Sequence, residues 1–474
     1  MNKKEIIFFC GLFILSILLR VKGISDESLW LDESISIYHS QFSFSNIISP
    51  NEPHPPLYTL ILKILFPIIN HNIFRIRFIS VVFGALSLPV FYFLVKKIFD
   101  KKIALISSVI LCFSPYHIAY SQEARMYSLL FFLSAVSIFF FFDTIKNKKH
   151  IEYTVFSFLL LYSHFFSVFV IITQNIIFLI EHITVRKQDF KKWIVVQLIL
   201  VISFIPHILR LSDYSKTTSS DIWRFSFFEL RKLLPGISGS DSLFFLYTCL
   251  LIFFLFFLSS KSRKISSVKK EENVLIYVFL LFTIPILIPI LFSLFFENIF
   301  MTRYVIYCLI PFTALLGYMI DRLPGLVKYC FLILILFLSL VSITRHNSEI
   351  NNEDWNRIDS FIQDFRDENT IIILEPGYII HSFVFYSETD CFSQEDIYRC
   401  AAEHNIFTLW NRFDQEKDYV NNALQIIYIR RKIFGSESST QYYNYLSNNF
   451  TIINKAAYKT VYDVELQAFI FERT

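Results

Sequence analysis

Leu31-Asp32-Glu33-Ser34 sets two carboxylates side by side, ahead of the amphipathic Ile35, Ile37 and Tyr38. Neighbouring helical residues point about 100° apart, so Asp32 and Glu33 cannot share one proton and must do different work. The plain alternative is an acidic start to an interfacial helix, where carboxylates suit the positive dipole end. In Glu52-Pro53-His54-Pro55-Pro56-Leu57-Tyr58 the prolines stiffen the backbone and hold His54 at a fixed depth. A structural turn explains the prolines but not the histidine. Ser121-Gln122-Glu123-Ala124-Arg125-Met126-Tyr127 and Met301-Thr302-Arg303-Tyr304 each put an arginine next to an apolar run, with His164 in Tyr162-Ser163-His164-Phe165 as a weaker companion. Arg125 needs an anion, which Glu123, Asp32 or a lipid phosphate would supply; snorkelling to the interface is its bland alternative. The chemistry on offer is proton removal by a carboxylate and phosphate binding by cations.

These residues need a lipid-embedded scaffold. Of 474 residues 54% are hydrophobic and 18% charged, against about 25% charged in a soluble domain. Phenylalanine supplies 56 residues and glycine only 9, so the apolar content is bulky and the chain is a polytopic membrane protein. A net charge of +4, with no glycine-rich phosphate loop and no zinc-type cysteine cluster, excludes a nucleic-acid partner and the usual soluble-enzyme classes. Cys10, Cys112, Cys249, Cys308 and Cys330 lie in apolar runs; only Cys391 and Cys400 are in a polar region, where a disulfide and two free thiols are both open.

Apolar runs near 6–19, 75–95, 103–120, 126–143, 151–163, 166–181, 193–209, 244–260, 273–295, 303–320 and 327–344 predict about eleven spans. The first follows Lys3 and Lys4 without a small-residue cleavage site, so it is read as an uncleaved span. Basic loops at 96–102, 146–149, 186–192, 261–270 and 322–328 mark the cytoplasmic side, and an even number of spans must separate each pair. That parity requires two short spans within 151–181 and makes Leu57 to Ile69 an interfacial helix. It puts the N-terminus in the cytoplasm, and the candidate residues and everything after about Arg345 outside the cell membrane.

The predicted architecture is an all-α membrane bundle over 1–345, whose first outer loop, 23–74, carries interfacial helices, followed by a soluble α/β domain over 346–474. In that domain Asp354 to Phe365 and Gln441 to Leu446 read as helices, and Thr370 to Leu374, Leu424 to Ile429 and Val464 to Phe471 as strands. No catalytic constellation appears there, so it reads as a packing or acceptor-docking module.

Taken in order, the Asp-Glu pair (Asp32, Glu33), the His-Pro-Pro-Leu (His54 to Leu57), the Glu-Ala-Arg-Met-Tyr (Glu123 to Tyr127), the Arg-Tyr (Arg303, Tyr304) and the Asp-Trp (Asp354, Trp355) resemble the GT-C-type, family 39-like glycosyltransferases, over roughly residues 1 to 360. That family includes protein O-mannosyltransferases and lipid A aminoarabinose transferases. The resemblance implies transfer of one sugar from a polyprenyl phosphate, with inversion, to a lipid, polysaccharide or protein acceptor of the cell envelope. It implies Asp32 as general base, with Glu33 orienting the acceptor or Arg125. Arg125, Arg303 and His54 would bind the donor phosphate, and Glu123, Tyr127, Tyr58, His164 and Tyr304 would line the substrate. The aminoarabinose transferases carry Glu-Lys-Pro where this chain has His54-Pro55-Pro56, so their lysine and metal site do not carry over, and no cofactor or required metal is expected. Two other classes stay open from sequence: a transporter gated by Asp32 and Arg125, although no internal repeat is found, and a polymerase or ligase of lipid-linked glycans, for which a 210–243 loop with Arg210, Arg224 and Arg231 would speak.

Overall fold

The structure is a computed structural model that describes residues 3–48, 54–185, 189–217, 227–260, 269–296, 298–409, 420, 423–433, 441–461 and 464–473. Glu52 and Pro53 of the proline-rich motif, and the loop cations Arg186, Lys187, Lys261, Arg263 and Lys264, lie outside the described residues.

Helices dominate because in hydrocarbon a backbone must satisfy its own N–H and C=O groups. They run in order as α1 (Lys3–Val21), α2 (Leu31–Gln41), α3 (Phe44–Ile48), α4 (Leu57–Ile69), α5 (Ile73–Ile98), α6 (Lys101–Cys112), α7 (Pro115–Ser121), α8 (Tyr127–Asn147), α9 (His150–Leu161), α10 (Ser167–Thr184), α11 (Phe190–Thr217), α12 (Phe227–Ser238), α13 (Asp241–Ser260), α14 (Lys269–Phe295), a 3-10 turn Thr302–Cys308 running into α15 (Leu309–Arg322), and α16 (Gly325–His346). Among the described residues seven spans are long and apolar enough to cross a membrane, and nine if the bent pairs α6–α7 and α12–α13 each count once. Eleven were expected. The other two predicted spans are present as helices, but α9 has only 12 residues and α1 carries Lys3, Lys4, Glu5 and Arg20 in its 19. The loop read over 210–243 is mostly helix, since α11 continues to Thr217 and α12 begins at Phe227; Arg224 lies outside the described residues.

The chain divides into two compact units. The first comprises Met1–Lys22, Ile48–Leu60 and Arg77–Thr344. α8 is buried along most of its length within it. Asp100 starts α6 by accepting the amides of Lys102 at 2.7 Å and Ile103 at 3.0 Å. Lys101 pairs with Glu5, and Lys97 Nζ lies 2.5 Å from Asp143. The basic ends of α5 and α6 therefore share one end of this unit with the start of α1 and the end of α8. At the opposite end, Gln122 donates to the carbonyls of Arg20 (3.2 Å) and Lys22 (2.7 Å).

The second unit comprises Gly23–Ile47, Ile61–Ile76 and Arg345–Thr474. Its later part is the expected α/β domain: α17 (Trp355–Gln363), β1 (Ile371–Glu375), α18 (Ile380–Ser387), α19 (Thr389–Phe392), α20 (Ile397–Glu403), β2 (Ile406–Thr408), β3 (Gln425–Ile433), α21 (Gln441–Asn449), β4 (Thr451–Lys459) and β5 (Val464–Glu472). The sheet order is β2-β1-β3-β5-β4, parallel between β1 and its two neighbours and antiparallel thereafter. Ile373, Ile426, Tyr428, Phe471 and Leu446 form its apolar core. Five of these elements match the sequence expectation. β4 escapes it because most of its residues are exposed, so its sequence, Thr-Ile-Ile-Asn-Lys-Ala-Ala-Tyr-Lys, lacks the alternation of a half-buried strand. Asp354 caps α17 through the Arg357 amide (3.2 Å), and Trp355 is 1% exposed, so the Asp-Trp motif does structural work here.

Candidate functional site

In the first unit the predicted residues gather where helices break. α6 and α7 meet at a bend of 58°, with Ser114 capping α7 and Pro115 at its first position. Gly84 on α5 permits the close approach of α7, since a Cβ there would collide with Ser121 Oγ. The segment Gln122 to Met126 then joins α7 to α8 and carries Glu123 and Arg125. Its backbone is pinned: Ser80 Oγ donates to the Arg125 carbonyl at 3.2 Å and bonds Tyr58 Oη at 2.8 Å. Tyr58 is thus a buried side chain that braces this segment through Ser80.

The break between α9 and α10 holds His164. The Leu57 amide donates to the Tyr162 carbonyl at 3.0 Å, which joins the His-Pro-Pro-Leu motif to the histidine segment. His164 Nδ1 accepts the Phe166 amide at 3.1 Å, leaving the proton of the neutral ring on Nε2. Burial holds this imidazole well below its ordinary pKa, and the positive charges of His54, Arg125 and Arg303 act in the same direction. His164 is therefore a neutral donor that feels the cations Arg125 and Arg303. Its ring lies 5.0 Å from Tyr304 and 6.2 Å from Tyr127, and Tyr127 and Tyr304 stack at 6.4 Å. Arg125 is 5% exposed, Arg303 and Glu123 are half-buried, and His54 is exposed. The Arg303 guanidinium lies 5.5 Å from the Tyr304 ring centre.

Three further tyrosines join this group without having been singled out in the sequence. Tyr116 donates to the Thr302 carbonyl at 2.6 Å and packs on Tyr120, which packs on Tyr127. Tyr307 donates to the Phe166 carbonyl at 3.2 Å. The available signal was the four-residue spacing of Tyr116 and Tyr120, which puts both on one face just ahead of Glu123. Arg20 was also missed. It is fully buried at the end of α1, and its guanidinium reaches Ser16 Oγ at 2.7 Å and His117 Nδ1 at 2.8 Å, tying α1 to α7.

Asp32 and Glu33 belong to the second unit, in the first turn of α2. Asp32 is half-buried. Glu33 is fully buried and its Oε2 accepts the Trp30 amide at 3.2 Å, as a helix-starting acid does. Among the described residues, Cys391, Cys400 and His404 form the one group of three side chains close enough to hold a metal ion, and the two sulfurs are joined as a disulfide with Cα atoms 5.4 Å apart. With both sulfurs in a disulfide, that donor set does not fit a metal.

Residues 53–209 match the family model described as dolichyl-phosphate-mannose-protein mannosyltransferase. A comparison with the curated proteins finds no sequence match. Among solved structures, ArnT from Cupriavidus metallidurans is similar in its apo state, with a TM-score of 0.60 at 10% identity over 98% of each chain. Its complex with undecaprenyl phosphate gives 0.59 at 10% identity, over 99% of this chain and 98% of that one. The Archaeoglobus fulgidus oligosaccharyltransferase in complex with Zn and sulfate gives 0.50 at 11% identity, over 88% of this chain and 67% of that one. At such identities the likeness speaks to the fold alone, over 98% and 99% of this chain for the two ArnT structures. By its apolar spans the chain is a multi-pass membrane protein, and its fold is similar to that of ArnT.

Proposed function

We propose that the chain transfers a single sugar from a polyprenyl phosphate to an envelope acceptor (lipid, polysaccharide or protein) on the extracytoplasmic face of the cell membrane, with inversion at the anomeric carbon. The observation that carries this reading is the tyrosine-walled cluster in which the cations Arg125 and Arg303 act on neutral His164 at the breaks of apolar helices, where an anion attached to a lipid tail is the fitting ligand. The similarity to a fold seen with undecaprenyl phosphate supports it.

In the proposed displacement Asp32 takes the proton of the acceptor hydroxyl as its oxygen bonds to the anomeric carbon. The bond from that carbon to the phosphate oxygen breaks, and its electron pair leaves on the polyprenyl phosphate. Arg125 and Arg303 stabilise the charge that develops there through charge-assisted hydrogen bonds, and neutral His164 adds an Nε2–H donor. His54 supplies a further contact to the phosphate, while Glu123, Tyr127 and Tyr304 line the sugar. Glu33 holds the start of α2, and with it the base. The basic residues at the α5–α6 junction, which share one end of the first unit with the start of α1 and the end of α8, support a cytoplasmic N-terminus.

Mass spectrometry of glycolipids, polysaccharides and glycoproteins from cells with and without the chain tests this reading. The expected difference is the mass of one sugar, lost again in Asp32→Asn. A whole glycan, or no difference in any fraction, would reject single-sugar transfer.

A further inference from the structure

Within the second unit the C-terminal domain holds α2 and the residues just ahead of it from several directions, with bonds made by residues more than 320 positions away in sequence. The Glu27 carboxylate accepts both the backbone amide (2.8 Å) and the side-chain amide (3.0 Å) of Asn351. The Leu29 amide donates to Tyr386 Oη at 2.6 Å, and Ser382 Oγ donates to Ser34 Oγ at 3.2 Å, both from α18. One turn further along α2, Tyr38 Oη donates to the Glu395 carbonyl at 2.7 Å and accepts the Ile397 amide at 3.3 Å. The Tyr38 ring also packs against His381 (4.9 Å) and Phe392 (5.7 Å). Glu395 and Ile397 sit in the short loop that the Cys391–Cys400 disulfide closes, and Asn46 donates to the Glu395 carboxylate at 3.2 Å.

An interfacial helix of 11 residues is marginal in isolation, so its orientation must come from tertiary contacts. Here those contacts are hydrogen bonds to a folded domain, made on both sides of Asp32 in sequence: at Glu27 and Leu29 before it, at Ser34 and Tyr38 after it. We infer that the C-terminal domain is the positioning element for the base-bearing helix, with Tyr386 and the disulfide-closed loop 391–400 as its two grips. Tyr38, Tyr386 and Ser382 are positioning residues: they act through α2 and touch no reacting atom. This inference rests on Asp32 serving as the base.

The test uses the full chain in lipid nanodiscs, with three measurements on Tyr38→Phe/Tyr386→Phe, Cys391→Ser/Cys400→Ser and Asp32→Asn. The tyrosine variant keeps both rings and removes the hydroxyls, so the fold of the sheet should survive. Hydrogen exchange of the α2 peptide should rise about tenfold, corresponding to loss of one to two net hydrogen bonds, while exchange across β3 stays unchanged. Sugar transfer, read by mass spectrometry of the membrane fraction, should fall about tenfold through loss of alignment. Affinity for undecaprenyl phosphate should stay unchanged. The double serine variant should give the same pattern with smaller changes. Unchanged α2 exchange and transfer in the tyrosine variant, with transfer abolished in Asp32→Asn, would overturn the positioning role and leave the base in place. Full transfer in Asp32→Asn would instead overturn the base reading, and the positioning role with it. Parallel loss of β3 protection, transfer and lipid affinity would mark the tyrosines as general fold supports and also overturn the inference.

Discussion

The first unit builds its polar site from few charges and many rings. Arg125, Arg303 and His164 stand among Tyr116, Tyr120, Tyr127 and Tyr304, and the backbone beneath them is pinned by single hydroxyls such as Ser80. The second unit holds its acidic helix through direct side-chain bonds and uses fully charged pairs in its interior. Arg431 Nε lies 2.6 Å from Glu353, whose other oxygen receives Trp355 Nε1 at 3.2 Å. The contrast follows from solvent. Near hydrocarbon each charge carries a large desolvation cost, so structural charges such as Arg20 and the Lys97–Asp143 pair are held by direct partners, and much of the stiffness around the site comes from ring packing. A domain exposed to water can use polar side chains freely for positioning.

This contrast can be broken or sharpened by substitution. The largest expected effect is Asp32→Asn, which removes the base and should lower transfer by about 10²–10⁴-fold while lipid affinity and membrane insertion persist. Next is Arg125→Ala, expected to weaken undecaprenyl-phosphate binding by about 3 kcal/mol, the scale of one lost charge-stabilising donor. Arg125→Lys should lose less, because it keeps the charge and gives up only the planar fork. Equal affinity in the two variants would deny the arginine its phosphate role.

A smaller effect belongs to the second unit and is driven by pH. Burial lowers His381 to about 4, with the charge of His39 acting alongside and the Tyr378 carbonyl opposing. The unfolded chain takes up a proton near pH 6.5, while the folded one stays neutral until about 4. The stability from this group is therefore complete above pH 6.5, and about 2–3 kcal/mol is lost as pH falls to 4. Thermal unfolding of the full chain between pH 7 and 4.5 should show the decline, and His381→Gln should flatten it. The smallest effect is Ser80→Ala, which leaves Tyr58 Oη and the Arg125 carbonyl without their bridge and should cost about 1 kcal/mol, seen as a few-fold loss of lipid affinity.

Much of the helical framework was legible because a span is a local property. A run of about 20 apolar residues bounded by charges needs no knowledge of its neighbours, and the starts of α5, α8, α10 and α16 fall within two residues of expectation. The motif cations were legible too, since Arg125 and Arg303 interrupt that pattern. β4 was not, because an exposed strand lacks the alternation that marks a buried one. Nor were Tyr116 and Tyr120, which read as ordinary members of an apolar run until α7 turns them toward Tyr127, or Arg20, whose bond to His117 joins two segments far apart in sequence.

Composition, span pattern and charge were thus determined by the sequence itself, because hydrophobicity and chain parity act residue by residue along one dimension. The joining of Gly23–Ile47 to a domain that begins at Arg345 was decided only in three dimensions. Hydrogen bonds such as Leu29 to Tyr386 link positions 357 residues apart. Direction and distance define such bonds, and neither is written in the order of residues.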